Sequence, residues 1–294
     1  MVPTLFTFEP CPMERLREAA AIGDAQDLEA LWVGDHLLWN VPMHEAVSTL
    51  AMLGALTTRT KVGTNILQLP LRRPVDVAKS FATISWLTQG RVIMGVGIGG
   101  EFEAEWQAAG VDPRKRGRRC DEALQALQWF WNGDEQQGEH FVSPGVAIEP
   151  GPAEPVPIWV GGRSDAAIRR AARWDGYLGV WLSVSRYRRI REQIESERGG
   201  DRPFRYALQM FTRIADDRER ARDVAMPAMA RTYNMDPSPF EKYVAMGTPA
   251  DVAEFVDTYR EAGVDHVSFY LIGDDWSEQA RRLSEEVLPL IQER

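Results

Sequence analysis

Four times along this chain a short apolar run stops at glycine and a chemically reactive residue, and helical periodicity then takes over. Leu31-Trp32-Val33 runs into Gly34-Asp35-His36, and Val62 into Gly63-Thr64-Asn65. Val92-Ile93-Met94 runs into Gly95-Val96-Gly97-Ile98-Gly99-Gly100-Glu101, and Pro157-Ile158-Trp159-Val160 into Gly161-Gly162-Arg163-Ser164. Strands that alternate with helices pair in parallel, and their C-terminal ends are where such folds gather functional residues. One corner of this kind is an ordinary turn. Four in order point to the mouth of a barrel.

The rest of the pattern completes the count. Strands are expected at Val2–Phe8, Leu31–Val33, Lys61–Ile66, Arg91–Val96, Ile158–Val160, Tyr177–Val180, Tyr206–Ile214 and His266–Leu271. Helical stretches separate them, with Pro74 suited to a first turn, Gly90 to a C-cap, and Ser164 to an N-cap. Glu101–Ala109 and Asp121–Trp131 read as helices around a basic turn, and residues 133–156 as an irregular loop. Pro227, Pro237, Pro239 and Pro249 are expected to divide residues 216–263 into short helices, and Pro289 to bend the last one. The expected fold is α/β, a (β/α)8 TIM barrel with helical insertions, formed by residues 1–294 as one domain. Its 294 residues suit a fold that takes about 250 and tolerates insertions.

Composition narrows the function. A net charge of −9 argues against a general nucleic-acid binder. Cys11 and Cys120 stand far apart, and no HxH, HExxH or CxxC spacing occurs, so neither a disulfide scaffold nor a metal site is expected. No apolar run reaches the roughly 20 residues of a membrane span. The expected setting is the cytoplasm, without membrane attachment.

The strand ends supply candidate chemistry. His36, beside Asp35, is placed to shuttle protons, since a carboxylate can orient an imidazole or raise its pKa. Gly97-Ile98-Gly99-Gly100-Glu101 superficially matches a dinucleotide fingerprint but follows the fourth strand, where a Rossmann site has no place. It reads better as a tight turn over a flat cofactor, with an acid from Glu101, Glu103 or Glu105 facing the pocket. Gly161, Gly162 and Ser164 form a side-chain-free corner opening a helix, which can hold a phosphate. Trp39, Trp106 and Trp181 fall just past strands, where they could wall a pocket for a flat ring. Arg114–Arg119 is the one dense basic cluster.

Taken in order, Ala30–His36, Val62–Leu67, Leu69–Val75, Gly90–Gly97, Arg116–Glu122, Pro157–Ser164, Gly247–Val252 and Ala262–His266 resemble the luciferase-like monooxygenase family over nearly the whole chain. The resemblance implies a barrel with a helical insertion after strand seven, homodimers, and reduced FMN or the deazaflavin coenzyme F420 at the mouth. Gly34-Asp35-His36 looks more like the deazaflavin-dependent branch. By that likeness His36, Trp39 and Glu101 are the catalytic candidates. Trp39 lies one residue closer to the histidine than in the sugar-phosphate dehydrogenase members, and Gly100 is an extra glycine before Glu101. Asp35, Asn65, Ile66, Gly97, Val160, Gly161, Gly162 and Ser164 are the cofactor-binding candidates, with the last three glycine and serine positions anchoring phosphate. The branch also implies a non-proline cis peptide, here at Asn65–Ile66. The basic cluster would meet the polyglutamate tail of F420. The expected activity is hydride transfer between the deazaflavin C5 and a small organic substrate. An FMN-dependent monooxygenase and a non-catalytic flavin-binding barrel are the alternatives.

Overall fold

A computed structural model describes residues 2–4, 12–100, 102–200 and 202–292. Eight parallel strands close on themselves: β1 (Val2–Thr4), β2 (Ala30–Val33), β3 (Lys61–Thr64), β4 (Val92–Gly97), β5 (Ile158–Gly161), β6 (Gly176–Val180), β7 (Arg205–Ile214) and β8 (His266–Leu271). Each pairs with its neighbours in chain order, and β8 returns to β1 with Val2 opposite Ser268. The fold is therefore the (β/α)8 barrel that the alternation predicts. Two short strands are added at the rim: Leu67–Gln68 beside β4, and Val244–Gly247 beside β7.

The lower barrel is filled by rings that need missing side chains opposite them. A Cβ on Gly63 would lie 2.5 Å from the Trp32 ring, and one on Gly176 would lie 2.7 Å from Trp159. Trp32 and Trp159 pack at 5.2 Å between centroids, and His266 meets both edge-on. This plug is fully buried and closes the end where the strands begin. Function is left to the other end.

Around the barrel run α1 (Met13–Ala25), α2 (Ala46–Leu56), α3 (Pro74–Thr88), α4 (Glu103–Ala109), α5 (Arg116–Asn132), α6 (Asp165–Ala171), α7 (Val184–Glu197), α8 (Arg218–Tyr233), α9 (Pro249–Arg260), α10 (Trp276–Arg282) and α11 (Leu288–Gln292). Ser164 caps α6, its hydroxyl accepting from the Ala167 N–H. Pro74 opens α3, but Gln89 rather than Gly90 makes the left-handed cap, at φ 55°.

Several expectations need correction. Strand one is described only to Thr4, and residues 5–8 lie outside the described set. The third strand stops at Thr64, where the Asn65–Ile66 peptide is cis. The basic stretch is not a turn throughout, since α5 begins at Arg116 after a 3-10 turn. The loop 133–156 contains a hairpin, Glu135–Gln137 with Val142–Pro144. The Glu122 carboxylate accepts from the His140 and Phe141 N–H groups in its turn, each at 2.8 Å. Pro227 does not divide its region; α8 runs through it. Ala221, Ala225 and Met229 bury one face of that helix in a second core with Phe211, and this packing outweighs the lost N–H. At the C-terminus the bend takes the form of a π-helical turn, Leu283–Val287, ahead of α11.

Candidate active site

The ends of β2, β3 and β4 converge on one imidazole. His36 follows β2 and points its Nδ1 at Glu105 Oε2, 3.1 Å away. Glu105 sits in the first turns of α4 and is fully buried. Its Oε1 accepts the backbone N–H groups of Leu37 at 2.6 Å and Leu38 at 3.3 Å, which fixes the loop carrying His36. Gln68 completes the cluster: its Nε2 donates to the Glu105 carboxylate at 3.1 Å and to the Asp35 carbonyl at 3.1 Å. Burial pushes the Glu105 carboxyl up, but the bonds from His36, Gln68 and Leu38 outweigh it and hold the group below its usual range.

An ionised Glu105 settles the imidazole's protonation pattern. Nδ1 has two neighbours at 3.1 Å, the Glu105 carboxylate and the Gln68 amide Nε2. The charged carboxylate is the stronger partner and only accepts, so Nδ1 carries the hydrogen and donates to it. Nε2 is then the free nitrogen, with no protein partner among the described residues. Trp39 stacks on the ring, with centroids 3.8 Å apart and planes 21° from parallel.

Asp35 does a different job from the one its sequence position suggests. Its carboxylate is held by Arg72 Nη2 at 2.6 Å and by the Gln68 N–H at 2.9 Å, and the orienting of His36 falls to Glu105. Arg72 also reaches Glu45 at 2.9 Å, tying the start of α2 to the end of β2. Burial pushes the Asp35 carboxyl above its usual range in spite of Arg72.

A cavity of about 350 Å³ opens beside His36 at the mouth. Asp35, His36, Trp39, Asn65 and Ile66 line one side, and Gly161 and Gly162 lie at the end of β5. From the far side come Val180 and Trp181 after β6, with Tyr233 and Met235 from the end of α8. Ile66 is seated by two glycines: a Cβ on Gly97 would lie 1.8 Å from its Cδ1, and one on Gly161 would lie 3.1 Å from its Cγ2. The Asn65 amide donates to Ser268 Oγ at 3.2 Å.

Of the candidates read from the sequence, Asp35, His36, Trp39, Asn65, Ile66, Gly161 and Gly162 meet in this cavity. Gly97 and Val160 lie buried behind its wall, and Ser164 stands outside it as the cap of α6. Glu101 lies outside the described residues, and Glu105 is the acid found on His36. Among the tryptophans, Trp39 and Trp181 wall the cavity, while Trp106 is buried elsewhere. The basic cluster is dispersed: Arg114 pairs with Asp112, Arg119 donates to the Pro70 carbonyl, and Arg116 to the Pro113 carbonyl. Gln68, Tyr233 and Met235 were missed, and Glu105 was named only as one of three possible acids. Helical spacing left Glu105 among three glutamates, and Tyr233 sat in a segment its prolines made look broken.

The pocket suits a flat ring with a phosphate tail. Ile66 and glycine backbone give a smooth wall, and the Gly161-Gly162 corner leads to Arg163 and Arg186, the latter donating to the Arg163 carbonyl at 3.3 Å. Those two guanidiniums and the first N–H groups of α6 are the donors an anion needs. Among the described residues no group of three metal-ligating side chains occurs, and no helix is long and apolar enough to cross a membrane.

An uncharacterised protein of Mycobacterium tuberculosis is 37% identical over 161 residues, covering 52% of this chain and 56% of that one, so the match spans about half the relative's length. An F420-dependent glucose-6-phosphate dehydrogenase of Kineococcus radiotolerans is 28% identical, covering 94% of this chain and 93% of the relative. Among solved structures, an F420-dependent secondary alcohol dehydrogenase in complex with an F420-acetone adduct superposes with a TM-score of 0.83 at 19% identity, over 96% of each chain. The family model described as luciferase-like monooxygenase matches residues 7–266, and the chain is an enzyme belonging to that family.

Proposed function

We propose that this protein is a coenzyme F420-dependent oxidoreductase that moves a hydride between the deazaflavin C5 and a small organic substrate. One observation carries the reading: Glu105 holds His36 Nδ1, so that Nε2, without a partner among the described residues, belongs to a side chain lining the cavity. Relatives that match nearly the full chain are F420-dependent dehydrogenases, which favours the deazaflavin over FMN within a family that uses both.

When bound, the deazaflavin supplies the hydride acceptor. Gly161 and Gly162 would border its ring, with Ile66 against one face, and Arg163 with the start of α6 would hold its phosphate. In the oxidative direction the substrate's carbinol carbon loses a hydride and its hydroxyl loses a proton to His36 Nε2. Glu105 balances the imidazolium charge through Nδ1–H, and Trp39 covers the ring and restricts water. In reverse, the imidazolium returns the proton to a carbonyl oxygen. Substitution His36→Ala tests this. Turnover is expected to fall by roughly 100-fold or more, with cofactor affinity little changed; full activity would remove His36 from the chemistry.

Two copies are proposed to pair through the outer face of α2 and α3. No charged residue occurs in Ala46–Leu56, and Met52, Trp86 and Leu87 are exposed on these neighbouring helices. Light scattering should give a dimer that Leu87→Glu weakens. A monomeric wild type would refute the pairing.

A further inference from the structure

The chamber leading to His36 is built from rings. Trp39 meets Tyr233 edge-on at 6.0 Å, and Tyr233 meets Trp181 at 5.1 Å. Trp181 stacks on Phe211 at 5.4 Å and packs on Phe240 at 4.5 Å. The backbone at Trp181 is left-handed, φ 50°, a conformation a bulky residue rarely takes. It ends β6 with the indole at the mouth, and Arg163 lies over its ring at 5.8 Å.

Lysine and arginine are absent from the chamber's described lining residues. Among these residues the ionisable side chains are Asp35, His36 and Tyr233, none of which is a fixed cation. Asp35 is already paired with Arg72, whose other arm is on Glu45. Residues 1, 5–11 and 101, outside the described set, contain neither lysine nor arginine. A sugar phosphate carries a dianion that must be met by guanidinium, ammonium or N–H donors when it leaves water. Arg163 and Arg186 stand at the β5 corner, where the cofactor's own phosphate is placed. An apolar ring, by contrast, gains from burial against Trp181, Tyr233 and Met235.

We infer that the substrate is an uncharged alcohol, or its carbonyl partner, with an aryl or alicyclic body, and that Trp181 and Tyr233 select it. The inference rests on the hydride-transfer reading of the site. The carbinol C–H bond breaks with its electron pair passing to the oxidised deazaflavin. The hydroxyl proton passes to His36 Nε2, and a C=O bond forms.

Calorimetric titration of the protein, alone and after addition of F420, with cyclohexanol, acetophenone and glucose 6-phosphate tests the assignment. The two cyclic compounds should bind saturably, and Trp181→Ala and Tyr233→Ala should each raise their Kd at least tenfold; the second variant guards against loss of fold in the first. Glucose 6-phosphate should give no saturable heat. Saturable binding of the sugar phosphate would overturn the inference, as would cyclic ligands that fail to bind or ignore both substitutions. Cyclic ligands that bind as expected to a protein that takes up no F420 would support the substrate class and refute the deazaflavin reading.

Discussion

His36 Nδ1 lies 3.1 Å from Glu105 Oε2, a contact between the end of the second strand and the helix after the fourth. It divides the imidazole's nitrogens between two roles. One is spent on position, and the other has no partner among the described residues. The same carboxylate ties down the Leu37 and Leu38 N–H groups, so a single side chain sets both the ring's tautomer and the loop that carries it.

Glu105→Gln keeps an acceptor for the two backbone donors but removes the negative charge opposite His36. Turnover should drop by about tenfold to a hundredfold, because the imidazolium formed when His36 takes the proton loses its counter-charge. Glu105→Ala should cost more stability, about 1–3 kcal/mol, since the buried Gln68 amide and the part-buried Leu37 N–H lose their acceptor. Turnover equal to wild type in the glutamine variant would show that Glu105 serves structure alone.

Arg163→Glu tests the phosphate corner more cleanly than a change at Gly162. Gly162 has φ 134°, and a Cβ there would lie 2.6 Å from Ala167 Cβ, so any side chain would disturb α6 itself. Arg163 is exposed. Reversing its charge should weaken F420 binding by tenfold or more while the circular dichroism spectrum stays the same. Unchanged affinity would put the phosphate elsewhere.

The barrel's architecture was legible because glycine-terminated strands repeat with helical intervals, and the barrel satisfies each of them. Much of the site was legible for the same reason: Asp35, His36, Asn65 and Gly161 are strand-end residues. What failed depended on long-range packing. Nothing local distinguishes Glu105 from Glu103, because the choice between them is made by where α4 docks against the loop after β2. The proline at 227 signals a break that only the burial of Ala225 and Met229 overrides. The partners of His266, Glu29 and Trp32, lie far from it in sequence and are brought to it by barrel closure.

That histidine predicts an acid limit. Its Nε2 accepts from the Trp32 indole N–H at 3.1 Å and its Nδ1–H donates to Glu29, so the neutral ring is satisfied and a second proton is not accommodated. Burial pushes its pKa from 6.5 down to about 4, against the bond to Glu29. The unfolded chain therefore takes up the proton first. Its contribution to stability is full above pH 6.5 and is lost as pH falls through about 4. Over that window the loss is on the order of 3 kcal/mol. Thermal melts should show a falling Tm across this range, and His266→Asn should flatten the dependence. An equally steep decline in the variant would assign the acid limit to other groups.

The central claim is a deazaflavin site at the barrel mouth, and equilibrium titration of the purified protein with F420 and, separately, with FMN measures it directly. Saturable F420 binding is expected, tighter than FMN by at least tenfold and weakened by Arg163→Glu. Tighter binding of FMN, or no saturable binding of F420, would contradict the account.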